Sequence, residues 1–144
     1  MFEATSDRLV ETITEVTYRR YRRRDLTVGF LERSDLRQFL TKAWVAERQQ
    51  SDRLAFDLGR GMSDERVSQL ILNLMTRLDK RGMVQNQTME FPLRQHHIAD
   101  ATGLTPVHVC KLLTEFRQVG LIEISNRSLT ILDLPALRRI AGVA

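Results

Sequence analysis

Chemistry in this chain is concentrated in Arg94, Gln95, His96, His97, Thr105, His108, Cys110 and Lys111, followed by Asn126 and Arg127. Cationic and amide side chains of this kind donate to phosphate oxygens and base edges, so the set suits a nucleic-acid surface. A metal site is the competing use of His96, His97, His108 and Cys110. Adjacent histidines on a helix point about 100° apart, and His108 and Cys110 diverge as well, so no metal is expected. Cys110 reads either as a redox-sensitive thiol or as a small residue that fits a groove. As the only cysteine, it excludes an internal disulfide and any four-cysteine metal or iron–sulfur site within one chain. A glycine-rich phosphate loop, a nucleophile with base and orienter, and a carboxylate pair at a recognisable spacing are all missing from the sequence. Neither catalysis nor a cofactor is therefore expected.

Two short helices and a hairpin must position these residues. Pro92 ends an extended stretch, and Ile98 and Ala101 give the first helix one apolar stripe. Gly103 sits where the chain must turn sharply, a place for a residue without Cβ. Thr105 is suited to N-cap a second helix, and Pro106 at its first position loses only an amide without a helical partner. Along that helix Val109, Leu112, Leu113, Phe116 and Val119 form the apolar face. Val107, Cys110, Lys111, Thr114 and Gln118 fall on the other, free to face a groove. Gly120 stops the helix. Leu121 to Ser125 and Ser128 to Leu132 then alternate as two strands around the turn Asn126-Arg127. Helix, turn, helix and hairpin in this order make a winged helix-turn-helix, with duplex DNA as the expected ligand.

Upstream, Met1 to Asp25 reads as one or two weak strands ending in the run Arg19-Arg20-Tyr21-Arg22-Arg23-Arg24. That run is a nucleic-acid contact with a stacking aromatic, a charged edge strand, or a remnant strand whose acidic partners belonged to an absent domain. Ser34 and Asp35 cap a long helix to about Gly59, with Leu36, Phe39, Leu40, Ala43, Trp44, Leu54 and Leu58 on its apolar side. Gly59-Arg60-Gly61 is the best boundary. After it Ser63 caps a cleaner helix striped by Val67, Leu70, Ile71, Leu74 and Leu78 and closed by Lys80, Arg81 and Gly82. Met83 to Phe91 reads as an extended connection or short strand, and Asp133 or Leu134, with Pro135, starts a last helix to about Ala141.

Composition agrees with this reading. A chain of 144 residues, 42% hydrophobic, can build one ordinary core or two small ones. The formal charge of +4 favours a polyanionic partner only modestly, since 28% of the residues are charged. No run of 18 apolar residues and no signal-peptide pattern is present, so a cytoplasmic protein without a membrane partner is expected.

The motif residues resemble a family, the bacterial transcription regulators named for the cyclic-AMP receptor protein and the fumarate and nitrate reduction regulator (Crp/Fnr). The likeness runs in order through Pro92-Leu93-Arg94-Gln95, Ile98-Ala99-Asp100, Gly103-Leu104-Thr105, Val107-His108-Val109, Leu113 and Gly120-Leu121-Ile122. It closes with Leu129-Thr130-Ile131-Leu132-Asp133 and Leu137. The resemblance implies a homodimer paired through the long helix and reading a palindromic operator in duplex DNA, with RNA polymerase as a further partner. Regulators resembling this chain carry arginine at the position of Lys111 and glutamate at that of Val107. Lysine is a point charge with less geometric discrimination, and valine offers only apolar contact, so the half-site should differ from theirs. A heptad from Leu36 gives Leu36, Leu40, Ala43, Glu47, Gln50 and Leu54, a seam apolar at both ends and polar at its centre.

The fold class expected is therefore mainly α with a small β-wing. Residues 1–60 comprise a remnant of a sensory β-roll and a dimerisation helix at about 34–59. Residues 61–144 form the winged domain, with its motif at 92–120 and its wing at 121–132. A complete β-roll needs on the order of a hundred residues with glycine turns. Only 33 residues precede Ser34, with Gly29 their single glycine. The chain reads either as the carboxy-terminal part of a longer regulator or as a natural form lacking its sensor. Arg94, Gln95, Thr105, Asn126 and Arg127 are expected on phosphates, and Val107, His108 and Lys111 on bases. The alternative function is a winged-helix module for protein assembly, or a fragment with only non-specific DNA binding.

Overall fold

The computed structural model describes residues 11–60 and 62–143, so the first ten residues of the expected strands lie outside it. The remainder of that expectation is corrected. Residues 11–22 form no strand, and Arg23–Glu32 is a helix, α1. An isolated alternating stretch has no ladder to join, and the arginine run continues directly into helical residues. After Arg33 the long helix α2 spans Ser34–Arg60. Arg33 donates to Asp35 at 2.6 Å, and Asp35 lies in the first turn of α2. The Arg33 hydrogen bond, aided by the Leu36 amide, holds the Asp35 carboxyl below its ordinary range.

Gly29 of α1 faces Leu36, and a Cβ at Gly29 would stand 2.9 Å from the leucine Cδ2. The two helices approach closely because glycine leaves that space. Leu36 and Leu40 are half-buried, whereas Phe39 and Trp44 of the expected apolar side are 68% and 74% exposed.

The helix α3 spans Ser63–Asp79. Its N-cap is Met62, not Ser63, and the Met62 amide donates to the Glu65 carboxylate at 3.3 Å. Met83–Phe91 is also corrected, because it holds a complete hairpin, β1 (Val84–Gln85) and β2 (Thr88–Glu90). Asn86 and Gln87 both take positive φ, as tight two-residue hairpin turns require. The helices α4 (Gln95–Thr102) and α5 (Pro106–Gln118) follow, then β3 (Ile122–Ser125), β4 (Ser128–Ile131) and α6 (Leu134–Ile140).

The four strands form one antiparallel sheet in the order β1-β2-β4-β3. Met89 opposite Leu129 and Ile122 opposite Ile131 bring buried side chains together, while Thr88 and Thr130 hydrogen-bond across the strands at 2.9 Å. Against these side chains pack Val67 and Ile71 of α3, Ile98 and Ala99 of α4, Val109, Leu112 and Phe116 of α5, and Leu137 of α6. Each fully buried aliphatic side chain contributes roughly 1.5–3 kcal/mol, so the sheet and four helices share a single stabilising core. Among the described residues no buried apolar side chain precedes Val67.

Two stripes differ in detail from their spacing. Ala99 and Thr102 are buried on α4, whereas Ala101 is only half-buried. On α5, Leu113 is half-buried and Val119, expected on the apolar face, is 69% exposed. Val119 lies at the cap, where the backbone leaves helical geometry before Gly120. The last helix starts as its sequence suggests, with the Asp133 carboxylate accepting from the Ala136 amide at 2.9 Å.

Candidate nucleic-acid interface

The turn between α4 and α5 sets the site. Gly103 ends α4 at φ 64°, in the left-handed region, and its amide donates to the Ala99 carbonyl. Thr105 Oγ1 accepts from the His108 amide at 3.2 Å, and Pro106 occupies the first turn of α5. Cap and proline thus fix where α5 begins and which residues its first turn presents. Gly120 closes it at φ 72°, and Leu121 donates back to the Phe116 carbonyl at 2.9 Å.

Burial of Val109, Leu112 and Phe116 leaves Val107, Cys110, Lys111, Thr114 and Gln118 exposed. Val107 is 80% exposed and so free to make an apolar contact with a ligand. Lys111 Nζ lies 3.8 Å from Glu115, one turn on, with both side chains open to solvent. Such exposed pairs are worth little, so the lysine remains available to a ligand.

Arg94 and Gln95 stand at the entrance of α4. They line a cleft of about 560 Å³ together with Pro106, Cys110, Thr114 and Arg117 of α5 and Ile124 of the wing. Five of the expected contact residues are therefore distributed over two adjoining edges, Arg94 and Gln95 on the cleft and Thr105, Val107 and Lys111 along the start of α5. Asn126 and Arg127 form the wing turn, both at positive φ and both exposed. The Phe91 amide donates to the Arg127 carbonyl at 2.6 Å, which ties this turn to the chain three residues before Arg94.

His96 and His97 do not diverge as their spacing implies, since their rings lie 4.0 Å apart, tilted by 57°. His97 Nδ1 accepts from the Arg94 amide at 3.0 Å, so it supports the start of α4. His108 Nε2 lies 3.1 Å from Ser63 Oγ. Cys110 is a free, exposed thiol.

Two features of the surface are not evident in the linear pattern. Arg117 joins Arg94 on the cleft, and among the described residues neither guanidinium forms an ion pair. Ser63 reaches His108 across 45 residues, a tertiary contact without a local signal. The hairpin at Asn86-Gln87 did have one: Val84-Gln85-Asn86-Gln87-Thr88-Met89 repeats the order apolar, polar, Asn, polar, hydroxyl, apolar seen in Ile124 to Leu129.

The Crp-like helix-turn-helix domain matches residues 65–140, more than half of the chain. The transcriptional activator protein FnrA of Stutzerimonas stutzeri is 30% identical over 109 residues, covering 76% of this chain and 44% of that protein. The transcriptional regulatory protein btr of Bordetella pertussis is likewise 30% identical, over 74% of this chain and 44% of its own length. The chain spans less than half the length of these curated relatives. Among solved structures, FixK2 from Bradyrhizobium japonicum superposes with a TM-score of 0.72 at 21% identity, over 85% of this chain and 60% of that one. A CooA variant from Carboxydothermus hydrogenoformans gives 0.68 at 21% identity, over 82% and 54%. These structural likenesses carry the fold, mostly helical with a small antiparallel sheet, and the matched domain carries the family. The chain belongs to the Crp-like helix-turn-helix family.

Proposed function

We propose that this chain is a sequence-specific, DNA-binding transcription regulator of the cytoplasm that acts as a homodimer on a palindromic operator and performs no catalysis. The observation that carries the reading is the exposed face of α5. Val107, Lys111, Thr114 and Gln118 project from a helix whose opposite side is locked into the core, and Arg94 and Arg117 line the adjoining cleft without a carboxylate partner among the described residues. A helix so held enters a major groove as a rigid body, its first turns at the base edges. Lys111 and Val107 read bases in this arrangement. Arg94, Gln95, Thr105 and the wing turn Asn126-Arg127 hold phosphates and fix register.

In the dimer, α2 pairs with its copy through the side that carries exposed Phe39 and Trp44, and two α5 helices meet successive major grooves about 34–36 Å apart. Within this reading residues 1–60 supply the pairing helix and residues 61–144 the DNA-reading domain. RNA polymerase is the partner that a transcription regulator of this kind engages.

The test is selection from a randomised duplex pool at moderate salt, with the oligomeric state measured on the same sample. Recovery of a palindrome by a dimer supports the proposal. Motif-free, salt-sensitive retention by a monomer refutes it and leaves non-specific binding or a protein partner for the α5 face.

A further inference from the structure

The hydrogen bond between His108 and Ser63 gives His108 a task that its position in α5 does not reveal. We infer that Ser63 is a positioning residue that holds the His108 imidazole toward the DNA backbone, and that His108 does not read a base. The inference rests on the DNA-binding reading above and adds to it a residue from outside the helix-turn-helix motif.

One residue along an α-helix is a rotation of about 100°, so His108 lies a quarter-turn from Val107, on the flank of α5. Lys111, Thr114 and Gln118 cluster nearer to Val107. The Ser63 contact at 3.1 Å shows what that flank faces, namely the first turn of α3. Two bonds then fix the residue. Its amide donates to Thr105 Oγ1, and its Nε2 is shared with the half-buried Ser63 hydroxyl. An imidazole tethered through Nε2 beside a second helix is withheld from a base edge along the α5 axis. Its remaining nitrogen stays open on the exposed rim, where a groove-bound helix meets the sugar–phosphate strand.

A long side chain left free must be ordered when it binds, and Ser63 removes that cost before DNA arrives. The clamp also links the start of α3 to the first turn of α5, so the rotation of the reading helix is set by a residue remote in sequence.

Full-length protein should be measured against two duplexes, one carrying the palindrome recovered by selection and one of scrambled sequence and equal length. His108→Ala should weaken binding to both by a similar factor and lower the salt slope by roughly one phosphate contact. Ser63→Ala should weaken both by roughly three- to tenfold, the range of one net hydrogen bond, and Ser63→Thr should restore the affinity. The double variant should bind no worse than His108→Ala alone, because Ser63 acts only through the imidazole. Nitrogen NMR of the His108 ring should shift in Ser63→Ala and return in Ser63→Thr.

Multiplying losses in the double variant, or wild-type affinity in Ser63→Ala, would overturn the inference while leaving DNA recognition intact. So would a His108→Ala loss confined to the palindrome, which would make His108 a base reader. If the wild type selects no motif at all, the DNA-binding reading fails and this inference falls with it.

Discussion

Lys111 and Arg127 carry the same formal charge at places that ask for different work. Lys111 projects from α5 with only a distant, solvent-open partner in Glu115, so its ammonium is free to meet a base edge. Arg127 sits in a two-residue turn whose backbone is held in place by Phe91, which suits a contact that fixes register. Lys111→Ala should therefore remove discrimination at one base pair per half-site, worth about 1–3 kcal/mol between right and wrong base. Arg127→Ala should weaken specific and scrambled duplexes evenly and reduce the slope of log affinity against log salt by roughly 1. Titrations of both duplexes at several salt concentrations separate the two roles, and equal behaviour of the variants would contradict the division. The backbone positions of these residues, on α5 and in the wing turn, were legible in the sequence because caps and turn residues act locally. The surroundings of Ser63 and Arg117 were not, since they depend on which elements pack side by side.

At the scale of elements, α5 depends on its cap. Thr105→Ala removes the oxygen that accepts from His108 and should cost about 1 kcal/mol. In a domain of this size that lowers the thermal midpoint by roughly 4–8 °C, readable by circular dichroism. The junction of α1 and α2 has its own signature. The Asp35 carboxyl is held below its ordinary range, chiefly by the Arg33 hydrogen bond, so the folded form binds its proton less readily than the unfolded chain does. The stabilisation is present above the unfolded value of about 3.9 and is lost as pH falls through the lowered folded value. Carbon NMR of Asp35 should give a midpoint below that of a free aspartate, and Arg33→Ala should return it toward the ordinary value. Element boundaries were legible at Gly103, Thr105, Gly120 and Asp133, whereas α3 is capped by Met62, one residue before the expected Ser63. Strands β1 and β2, two and three residues long, have no periodicity to display, and their only sequence mark is a turn that repeats the pattern of the wing turn. Helix α1 escaped because its first residues read as the end of a weak strand and no capping side chain marks its start.

At the scale of the whole molecule, the winged domain stands on its own core, while α2 keeps Phe39 and Trp44 in water. Large aromatic side chains left exposed in this way mark a surface that gains by being covered. Under the proposed dimer, Trp44→Glu should shift the protein to monomer in sedimentation and abolish selection of a palindrome. The isolated half-site contact would survive as weak, salt-sensitive binding. A Trp44→Glu protein that remained dimeric would place the pairing surface elsewhere.

Residue types alone set the local grammar of the site: Gly103 at the turn, Thr105 and Pro106 at the start of α5, Gly120 at its end, and Asn126-Arg127 at the tip of the wing. Each of these depends on backbone conformation or on hydrogen bonds spanning a few residues, and residue type alone carries that information. Packing between elements supplied the rest. It placed β2 between β1 and β4, brought Arg117 and Arg94 to one cleft, left Val119 in water at the end of its own stripe, and set Ser63 against His108. Those outcomes depend on which apolar faces share one core, a collective minimum of burial that no single segment encodes.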